Sequence, residues 1–392
     1  MINDYKFIVQ NEEEDEVSFL KRKAYYFRLI RPRLIYGKGS ISKKIHHAIT
    51  ISQTEDRNIS QFWKKYLCKE AINVLIDKRH YSIYKHSLSK EDELTLYIPD
   101  DFYYAFIDEF YSNPQWSNPC DDKNLYDLYF SDINRPHTIF RKVGNVYLDE
   151  QYRIISEEKA IIFAREYDEV ILKNSKFSSG GNEILFWSSE NKNVHILKQY
   201  LNNTRNVVCQ ESIRQHDTLN NLNNSSVNTL RIITFFFHET VYILSSVLRM
   251  GVSGSRIDNA SSGGIVCGVK KDGKLKHIAY DIFANEYTRH PQGTSFESIC
   301  IPNYDKCTVM VSKLASRFVS VSRLISWDIA IDDAGQPNLI EFNLSFGEID
   351  FHQLCNGPIF GVLTHDVLQD VVNNSYTLRS ILASIYHNDK KQ

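Results

Sequence analysis

The stretch SWDIAIDDAGQPNLIEFNLSFGE, residues 326–348, places charged side chains inside apolar runs. WDIAI and NLIEFN have the composition of strands, and DDAGQP between them is rich in turn-forming residues. A charge buried in a sheet is costly unless it is paired or binds a metal. The stretch therefore predicts a β-hairpin in which Asp328 and Glu341 need a partner.

The register of this hairpin decides which side chains share a face. With Ile331 opposite Asn338, the two carboxylates face each other, with Cβ atoms roughly 4.5–5.5 Å apart. Asn343 lies two residues beyond Glu341 and shares its face. Mg²⁺ prefers oxygen ligands of this kind, together with substrate phosphates. The pattern predicts a Mg²⁺ site, and the alternative is a pair of partly exposed carboxylates at a sheet edge.

Two expectations follow for the protein without a metal. Like charges placed directly opposite each other repel, so the pKa of one of the two carboxyl groups should rise. Replacing Glu341 with Gln removes one charge and keeps the shape. The ligand-free variant should therefore be at least as stable as the parent.

Composition limits the class of protein. The chain has 392 residues, of which 42% are hydrophobic and 24% are charged, and this suits two or three soluble domains. The net charge of −2 creates no general attraction for nucleic acid. Seven cysteines without a CxxC pair indicate reduced thiols. With no signal pattern and no long apolar run, we expect a cytoplasmic protein without a transmembrane segment.

The spacing of apolar residues divides the chain. Residues 1–118 have helical spacing, and NPQWSNPCDDK, residues 113–123, is typical of a linker. Beyond it strands and helices mix. Hairpins are predicted with turns at residues 238–240 and at Asp272-Gly273, and residues 307–325 are predicted to form an amphipathic helix.

A basic segment lies in the helical region. Lys21 to Lys44 contain nine Lys or Arg residues and no acidic residue. One interpretation is a solvated helix face, and the other is a surface for an anionic polysaccharide or a lipid-linked sugar. The acidic run Glu12 to Glu16 could neutralise it.

Two lysines have a context that suits phosphate binding. In VILKNSKFSSGGNEILFW, Lys173 stands at a strand end before a Ser- and Gly-rich loop whose N–H groups could surround phosphates. Lys123 stands at a helix start in DDKNLYDLYF. Taken singly, most such loops are simple hairpin turns, and most lysines in the position of Lys123 are surface lysines. P-loop, nucleophile-elbow, HExxH, EF-hand and protein-kinase signatures are absent.

In this order, the segments resemble the ATP-grasp superfamily. SVNTLRIITFF, DNASSGGIVCGV and WDIAIDDAGQPNLIEFN are similar to its sugar-transfer-associated branch, over about residues 119–385. The resemblance implies an α+β (α/β) fold with the nucleotide between two α+β subdomains. It implies a helical, substrate-side region at 1–118, a central lid subdomain at 119–215 and a C-terminal catalytic subdomain at 216–392.

The resemblance also implies site residues and cofactors. The cofactors are ATP and two Mg²⁺ ions, for which Mn²⁺ can substitute. Arg231 and Arg249 correspond to cations near the transferred phosphate, and Asp328, Glu341 and Asn343 to the metal ligands. The nucleotide-binding positions are Lys123, Lys173, Ser178, Ser179, Gly180, Gly181, Gln210, Glu211, Ile213, Gln215 and His216. The substrate-binding positions are Asn259, Ser261, Ser262, Gly263 and Gly347.

Two departures from the related D-alanine–D-alanine ligases concern the acceptor. Those ligases carry Arg two residues before the metal-binding Asp, where this chain has Ser326, so Arg231 or Arg249 must stabilise the intermediate. Phe346 replaces the Pro of their NxSPG turn. The resemblance therefore implies a different acceptor.

The implied reaction is amide formation between a carboxylate and an amine through an acyl phosphate. The branch occurs with polysaccharide-synthesis enzymes, which suggests a uronic acid carboxylate joined to an amino acid or amine during capsule, O-antigen or exopolysaccharide assembly. One alternative is a kinase of the same superfamily that phosphorylates a sugar hydroxyl. Another is a nucleotide-binding partner of a glycosyltransferase without catalysis.

Overall fold

The computed structural model describes residues 15–89, 93–112, 114–176, 184–188, 193–252 and 254–389. Helices occupy the N-terminal region as predicted. A π-helical turn, Tyr26–Ile30, joins the first two helices, and another, Tyr103–Asp108, joins the sixth and seventh. The helices are α1 Glu16–Tyr25, α2 Arg31–Lys44, α3 Gln53–Trp63, α4 Lys69–Leu75, α5 Arg79–Tyr84, α6 Asp100–Phe102, α7 Glu109–Ser112, α8 Pro114–Cys120 and α9 Tyr126–Tyr129.

The predicted linker at residues 113–123 is not an irregular segment, because α8 occupies most of it. Pro114 stands at its first helical position, where a missing N–H costs nothing. The turn-forming composition that indicated a linker therefore also fits the start of a short helix.

A six-stranded antiparallel sheet follows, with strand order β3-β2-β1-β6-β4-β5. Helices α10 Glu157–Ala164 and α11 Val194–Asn203 pack on it through small and aliphatic side chains. The strands are β1 Thr138–Val143, β2 Val146–Asp149, β3 Ile154–Ile155, β4 Glu169–Asn174, β5 Leu185–Ser188 and β6 Asn206–Glu211.

A seven-stranded antiparallel sheet is the second layer, with order β11-β10-β9-β8-β7-β12-β13. Helices α12 Asp217–Leu222 and α13 Tyr304–Arg317 accompany it. The strands are β7 Thr229–Phe237, β8 Thr240–Met250, β9 Ile265–Val269, β10 Leu275–Tyr280, β11 Glu286–Tyr287, β12 Leu324–Ile331 and β13 Pro337–Asn343.

Both predicted hairpin turns are confirmed. His238 and Glu239 have φ of 44° and 61°, the left-handed values of a tight two-residue turn between β7 and β8. Gly273 has φ 83° in the turn between β9 and β10. The predicted helix at 307–325 is wrong at its end, because α13 stops at Arg317 and Leu324 already begins β12.

The two faces of the second sheet belong to different cores. On β7, Ile233 and Phe235 pack with the N-terminal helices and the C-terminal helices α14 Asp350–Asn356, α15 Thr364–Asn374 and α16 Tyr376–Asp389. Ile232, one residue earlier, packs with α13 on the other face. The N-terminal helices thus share one core with the C-terminal part, and the division at residue 118 stays a prediction. In the described part of the chain, each helix is too short or too polar to cross a membrane.

Candidate active site

The hairpin of β12 and β13 places Asp328 directly opposite Glu341, as predicted. The turn, however, has a different register from the expected one, because Ile331 pairs with Pro337 rather than Asn338. Between Leu339 and Glu341 the pairing shifts by one residue, which makes Ile340 the extra residue of a β-bulge. The bulge brings the two carboxylates back into opposition.

Asp328 is also opposed from its other side by a cation. Arg231 of β7 pairs with Asp328 in the sheet, and its Nε and Nη2 donate to the two carboxylate oxygens at 2.7 and 2.8 Å. Arg249 of β8 adds a bond from Nη1 at 3.2 Å. Burial opposes ionisation of Asp328, but the two guanidinium groups outweigh it and lower the pKa of this carboxyl.

Glu341 has its own cation. Its Oε1 accepts a bond from Lys123 Nζ at 2.7 Å, and Lys123 is buried. Burial alone would lower the pKa of Lys123, yet Glu341 raises it above the usual value. The expectation that the metal-free carboxylate pair would raise a pKa is therefore wrong for Asp328, because arginines neutralise its charge.

Lys173 lies on β4 of the first sheet, near enough to Lys123 for the two charges to interact. Lys123 N donates to Ser175 O at 2.9 Å, and this bond ties the start of the Lys123 helical turn to the end of β4. Lys173, on β4, is half-buried, and burial together with the charge of Lys123 lowers its pKa to about 8. The structure thus brings together the two lysines that the resemblance implied for phosphates.

The model of the family described as "Sugar-transfer associated ATP-grasp" matches residues 111–369, more than half of the chain. The chain belongs to the sugar-transfer-associated ATP-grasp family. No curated protein matches it.

Solved structures similar to this ATP-grasp protein share only a distant likeness. D-alanyl-alanine synthetase A from Vibrio cholerae has TM-score 0.39 and 11% identity, covering 67% of this chain and 66% of that one. The biotin carboxylase domain of Hydrogenobacter thermophilus 2-oxoglutarate carboxylase has TM-score 0.41 and 12% identity, covering 68% and 48%. D-alanine–D-alanine ligase from Bacillus anthracis has TM-score 0.34 and 16% identity, covering 69% of each chain. This chain thus spans 66% of the length of the synthetase and 48% of the length of the biotin carboxylase domain.

The implied adenine segment consists of the last two residues of β6, Gln210 and Glu211, and of Ile213 just beyond it. Gln210 is buried, and its Nε2 lies 3.4 Å from Pro136 O, while Glu211 is exposed and Ile213 half-buried. Their contact with a nucleotide stays a prediction. The implied lid-loop residues Ser178 to Gly181 lie outside the described residues.

Gln215, implied as a contact near the ribose, is hydrogen-bonded within the loop before β7, and its contact with a nucleotide stays a prediction. Its Nε2 donates to Asn223 O and Ser226 O, both at 2.9 Å, and its Oε1 accepts two bonds from Asn228. Both ends of the amide are therefore engaged in holding the loop before β7. His216 caps α12 through its Nδ1, and its contact with a nucleotide also stays a prediction.

The implied acceptor residues lie in two loops next to the arginines. Asn259 caps a helical turn over Ala260–Ser262, where Ser261, Ser262 and the following Gly263 are exposed. Asp258, just before, lies 3.5 Å from Arg249 Nη2 and also accepts a bond from Thr229 N at 3.2 Å. The loop is thereby attached to the cation that holds Asp328, and its contact with a substrate stays a prediction.

The second loop contains Gly347, whose backbone lies against the Ser326 side chain so closely that a Cβ would clash. The Ser that replaces the arginine of D-alanine–D-alanine ligases is thus used for packing this loop. The next residue, Glu348, was not predicted, and its Oε2 accepts a bond from Arg231 Nη1 at 2.9 Å. Its position directly after Gly347 was the only signal in the sequence.

Phe346 connects the same loop to the N-terminal helices. It has φ 57°, its N donates to both oxygens of Asp108 at 3.2 Å, and its ring contacts those of Tyr36 and Tyr104. The guanidinium of Arg33 lies 4.3 Å from the ring centre. Where the ligases have a Pro, this chain therefore has an aromatic anchor that brings the N-terminal region to the site.

The donor set fits a hard divalent cation. Asn343 donates from Nδ2 to Ser326 O at 3.4 Å and also hydrogen-bonds Asp328, and its Oδ1 would be the oxygen that it offers to a metal. Together with Asp328 and Glu341 it provides two carboxylates and an amide, the small protein contribution typical of Mg²⁺ sites completed by phosphates. Among the described residues, no three His, Cys, Asp or Glu side chains cluster in a way that could hold a metal ion. The metal at this hairpin would therefore need the phosphates as further ligands.

Proposed function

We propose that this chain is an ATP-dependent carboxylate–amine ligase that forms an amide through an acyl phosphate. Its substrates would be a uronic acid carboxylate and an amino acid or amine, in the assembly of capsule, O-antigen or exopolysaccharide. The observation that carries the proposal is the row Arg231–Asp328–Glu341–Lys123, in which charges alternate across three strands and the helical turn Lys123–Leu125. Glu341 is partly exposed, and the other three are buried.

This row is suited to an exchange of partners. Each carboxylate is held by a cation, at 2.7 Å in both pairs. When Mg²⁺ and a triphosphate arrive together, the carboxylates can turn to the metal and the cations to the phosphates, so that no buried charge is left uncompensated. Arg249 and Lys173 enlarge the cationic side for a highly charged anion. Family membership supports the same ligand, because ATP-grasp names a nucleotide-binding fold.

The proposed chemistry has two balanced steps. A carboxylate oxygen attacks the γ-phosphorus of ATP, the bond to the bridging oxygen breaks, and ADP leaves. The amine nitrogen then attacks the acyl carbon, the bond to the phosphate oxygen breaks, and phosphate leaves as the nitrogen loses a proton. Lys123 and Lys173 would bind the phosphates, and Arg231 and Arg249 would stabilise the charge on the transferred group.

Asp328, Glu341 and Asn343 would hold Mg²⁺, or Mn²⁺ in its place, and the metal when bound supplies further charge stabilisation to the phosphates. Two ions, as the resemblance implies, would be held by these three residues together with the phosphates. Glu348, bonded to Arg231, would keep that guanidinium oriented toward the transferred group.

The test is incubation of the protein with ATP, Mg²⁺, single uronic acids and hydroxylamine, followed by mass spectrometry. The proposal expects ADP and a hydroxamate with at least one uronic acid, and an amide when amino acids replace hydroxylamine. A phosphate ester of the sugar without any hydroxamate would establish the kinase alternative. ATP binding without ADP formation across the panel would establish the non-catalytic alternative.

Replacing Lys173 with Met should weaken MgATP binding by at least about tenfold, because a point charge for the phosphates is lost. In the parent, affinity should also fall as pH rises above about 8, the pKa of Lys173 without ligand. Phosphate raises that pKa, so binding takes up a proton above pH 8, and affinity falls by up to about tenfold per pH unit.

Calorimetry between pH 7 and pH 9, in buffers of different ionisation enthalpy, measures both effects. Lys198→Met removes an exposed lysine from the same part of the chain and should change neither. Unchanged affinity of Lys173→Met, or a pH slope that it retains, would remove Lys173 from the proposed nucleotide site.

A further inference from the structure

The outer face of α1 and α2 has an unusual composition. Between Val17 and Thr54 the sequence contains no Asp or Glu. With the π-helical turn between them, α1 and α2 form one helical segment, roughly 40 Å long at about 1.5 Å per residue. Exposed side chains recur along it every three or four residues. We call their line the outer face, made up of Val17, Leu20, Lys21, Ala24, Phe27, Arg28, Ile35, Ser42 and Lys43.

Large apolar side chains lie in the open on this face. Val17, Leu20, Phe27 and Ile35 are 59%, 52%, 41% and 47% exposed. Single exposed apolar residues are ordinary, but four large ones on one helical segment, with cations between them, are typical of an interaction surface. Lys21, Arg28 and Lys43 are exposed between and beyond them. From Val17 to Lys43 the face is therefore apolar and cationic, and the exposed acidic residues Asp15 and Glu16 lie just before it, at the start of α1.

The segment cannot turn to hide this face, because its inner side is fixed. Tyr26, Ile30, Leu34 and Ile41 are part of the core shared with the C-terminal helices. Arg33 is paired with Asp108, and Lys44 Nζ lies 2.6 Å from Asp350 Oδ2, both pairs being buried. Two of the nine basic residues are therefore structural, and the basic segment is smaller as a binding surface than the sequence suggested.

We propose that the outer face binds the surface of an anionic lipid bilayer. Aliphatic side chains can enter the boundary between head groups and acyl chains while neighbouring cations contact anionic head groups. An anionic polysaccharide would use the cations but would have no partner for Val17, Leu20 and Ile35. The length and the absence of acidic residues suit an extended negative surface. Tyr36, beside Ile35, contacts Phe346 of the active-site loop, so the site would lie close to the bilayer.

The test is sedimentation of the full chain with vesicles of phosphatidylcholine, with and without a third of phosphatidylglycerol. We expect binding only to the anionic vesicles, with a decrease as NaCl rises from about 0.1 to about 0.5 M. The variant K21E/R28E/K43E should bind at least tenfold more weakly. The variant F27S/I35S should also bind at least tenfold more weakly at the higher salt, where the apolar contribution dominates.

The matched control is K270E/K271E/K274E, which reverses three exposed lysines around the turn between β9 and β10 and changes the net charge equally. It should bind within twofold of the parent, and circular dichroism melting should show all variants folded. The proposal is overturned if the parent ignores anionic vesicles, or if the control loses as much binding as K21E/R28E/K43E. It is also overturned if F27S/I35S dissociates a dimer, or if a soluble anionic polysaccharide binds this face while vesicles do not.

Discussion

Glu341→Gln is expected to lower turnover by at least about a thousandfold, because the charge stabilisation that a metal supplies is worth several kcal/mol and about 1.4 kcal/mol is a factor of ten in rate. The structure adds a second effect. Lys123, bonded to Glu341 at 2.7 Å, is buried, and a neutral amide compensates its charge poorly. The ligand-free variant should therefore lose about 1–3 kcal/mol of stability. From the sequence alone, the opposite sign was expected.

The measurements are ADP release per folded molecule with the uronic acid that supports hydroxamate formation, and urea unfolding without ligand. Asp333→Asn is the matched control, because Asp333 is an exposed carboxylate in the turn of the same hairpin. It should change turnover less than twofold. If Glu341→Gln unfolds easily while the folded fraction keeps normal turnover, Glu341 is structural and the proposed metal site is wrong.

Arg33→Met is expected to destabilise the protein by about 3–5 kcal/mol, the cost of leaving one partner of a buried ion pair alone. Arg33 and Asp108 are 2% and 1% exposed. Asp108 also accepts bonds from Phe346 N and from Ser112 Oγ at 3.3 Å. The loss should therefore reach the active-site loop, and Phe346 should become more accessible.

Urea unfolding measures the stability, and hydrogen exchange of residues 344–348 measures the loop. Arg317→Met is the control, because the pair between Arg317 and Asp132 is exposed and should contribute no more than about 1 kcal/mol. Arg33→Met with Asp108→Asn should recover part of the loss, since it removes the uncompensated charge. If Arg33→Met lowers the free energy of unfolding only as much as Arg317→Met does, Arg33 contributes little to holding the N-terminal helices and the active-site loop together.

The carboxylate hairpin shows how far the sequence alone could lead. Side chains alternate along a strand, and a turn-rich stretch between two strands sets which residues meet. Both are local properties, so the hairpin could be predicted, but the predicted opposition of Asp328 and Glu341 is right only because a bulge offsets a turn register that was wrong by one residue. The bulge at Ile340 could not be predicted, because the choice between two registers depends on packing across the sheet.

The partners of the buried charges were decided only by the tertiary structure. Asp328 meets Arg231 because β12 lies beside β7, and the order of strands in a sheet is not visible in either strand. Lys123 and Glu341 are 218 positions apart. Such pairs determine the sign of the Glu341→Gln effect and the pKa of Asp328.

The basic segment, Lys21 to Lys44, also has some properties that the sequence sets and others that only the tertiary structure sets. The sequence by itself determined that it is helical, cationic and free of acidic residues, since these follow from composition and spacing. Only the tertiary structure decided that Arg33 and Lys44 point into the core while Lys21, Arg28 and Lys43 remain exposed. The physical reason is that helical spacing defines the faces of a helix, whereas the side on which the rest of the chain packs is set by contacts with residues far away in sequence.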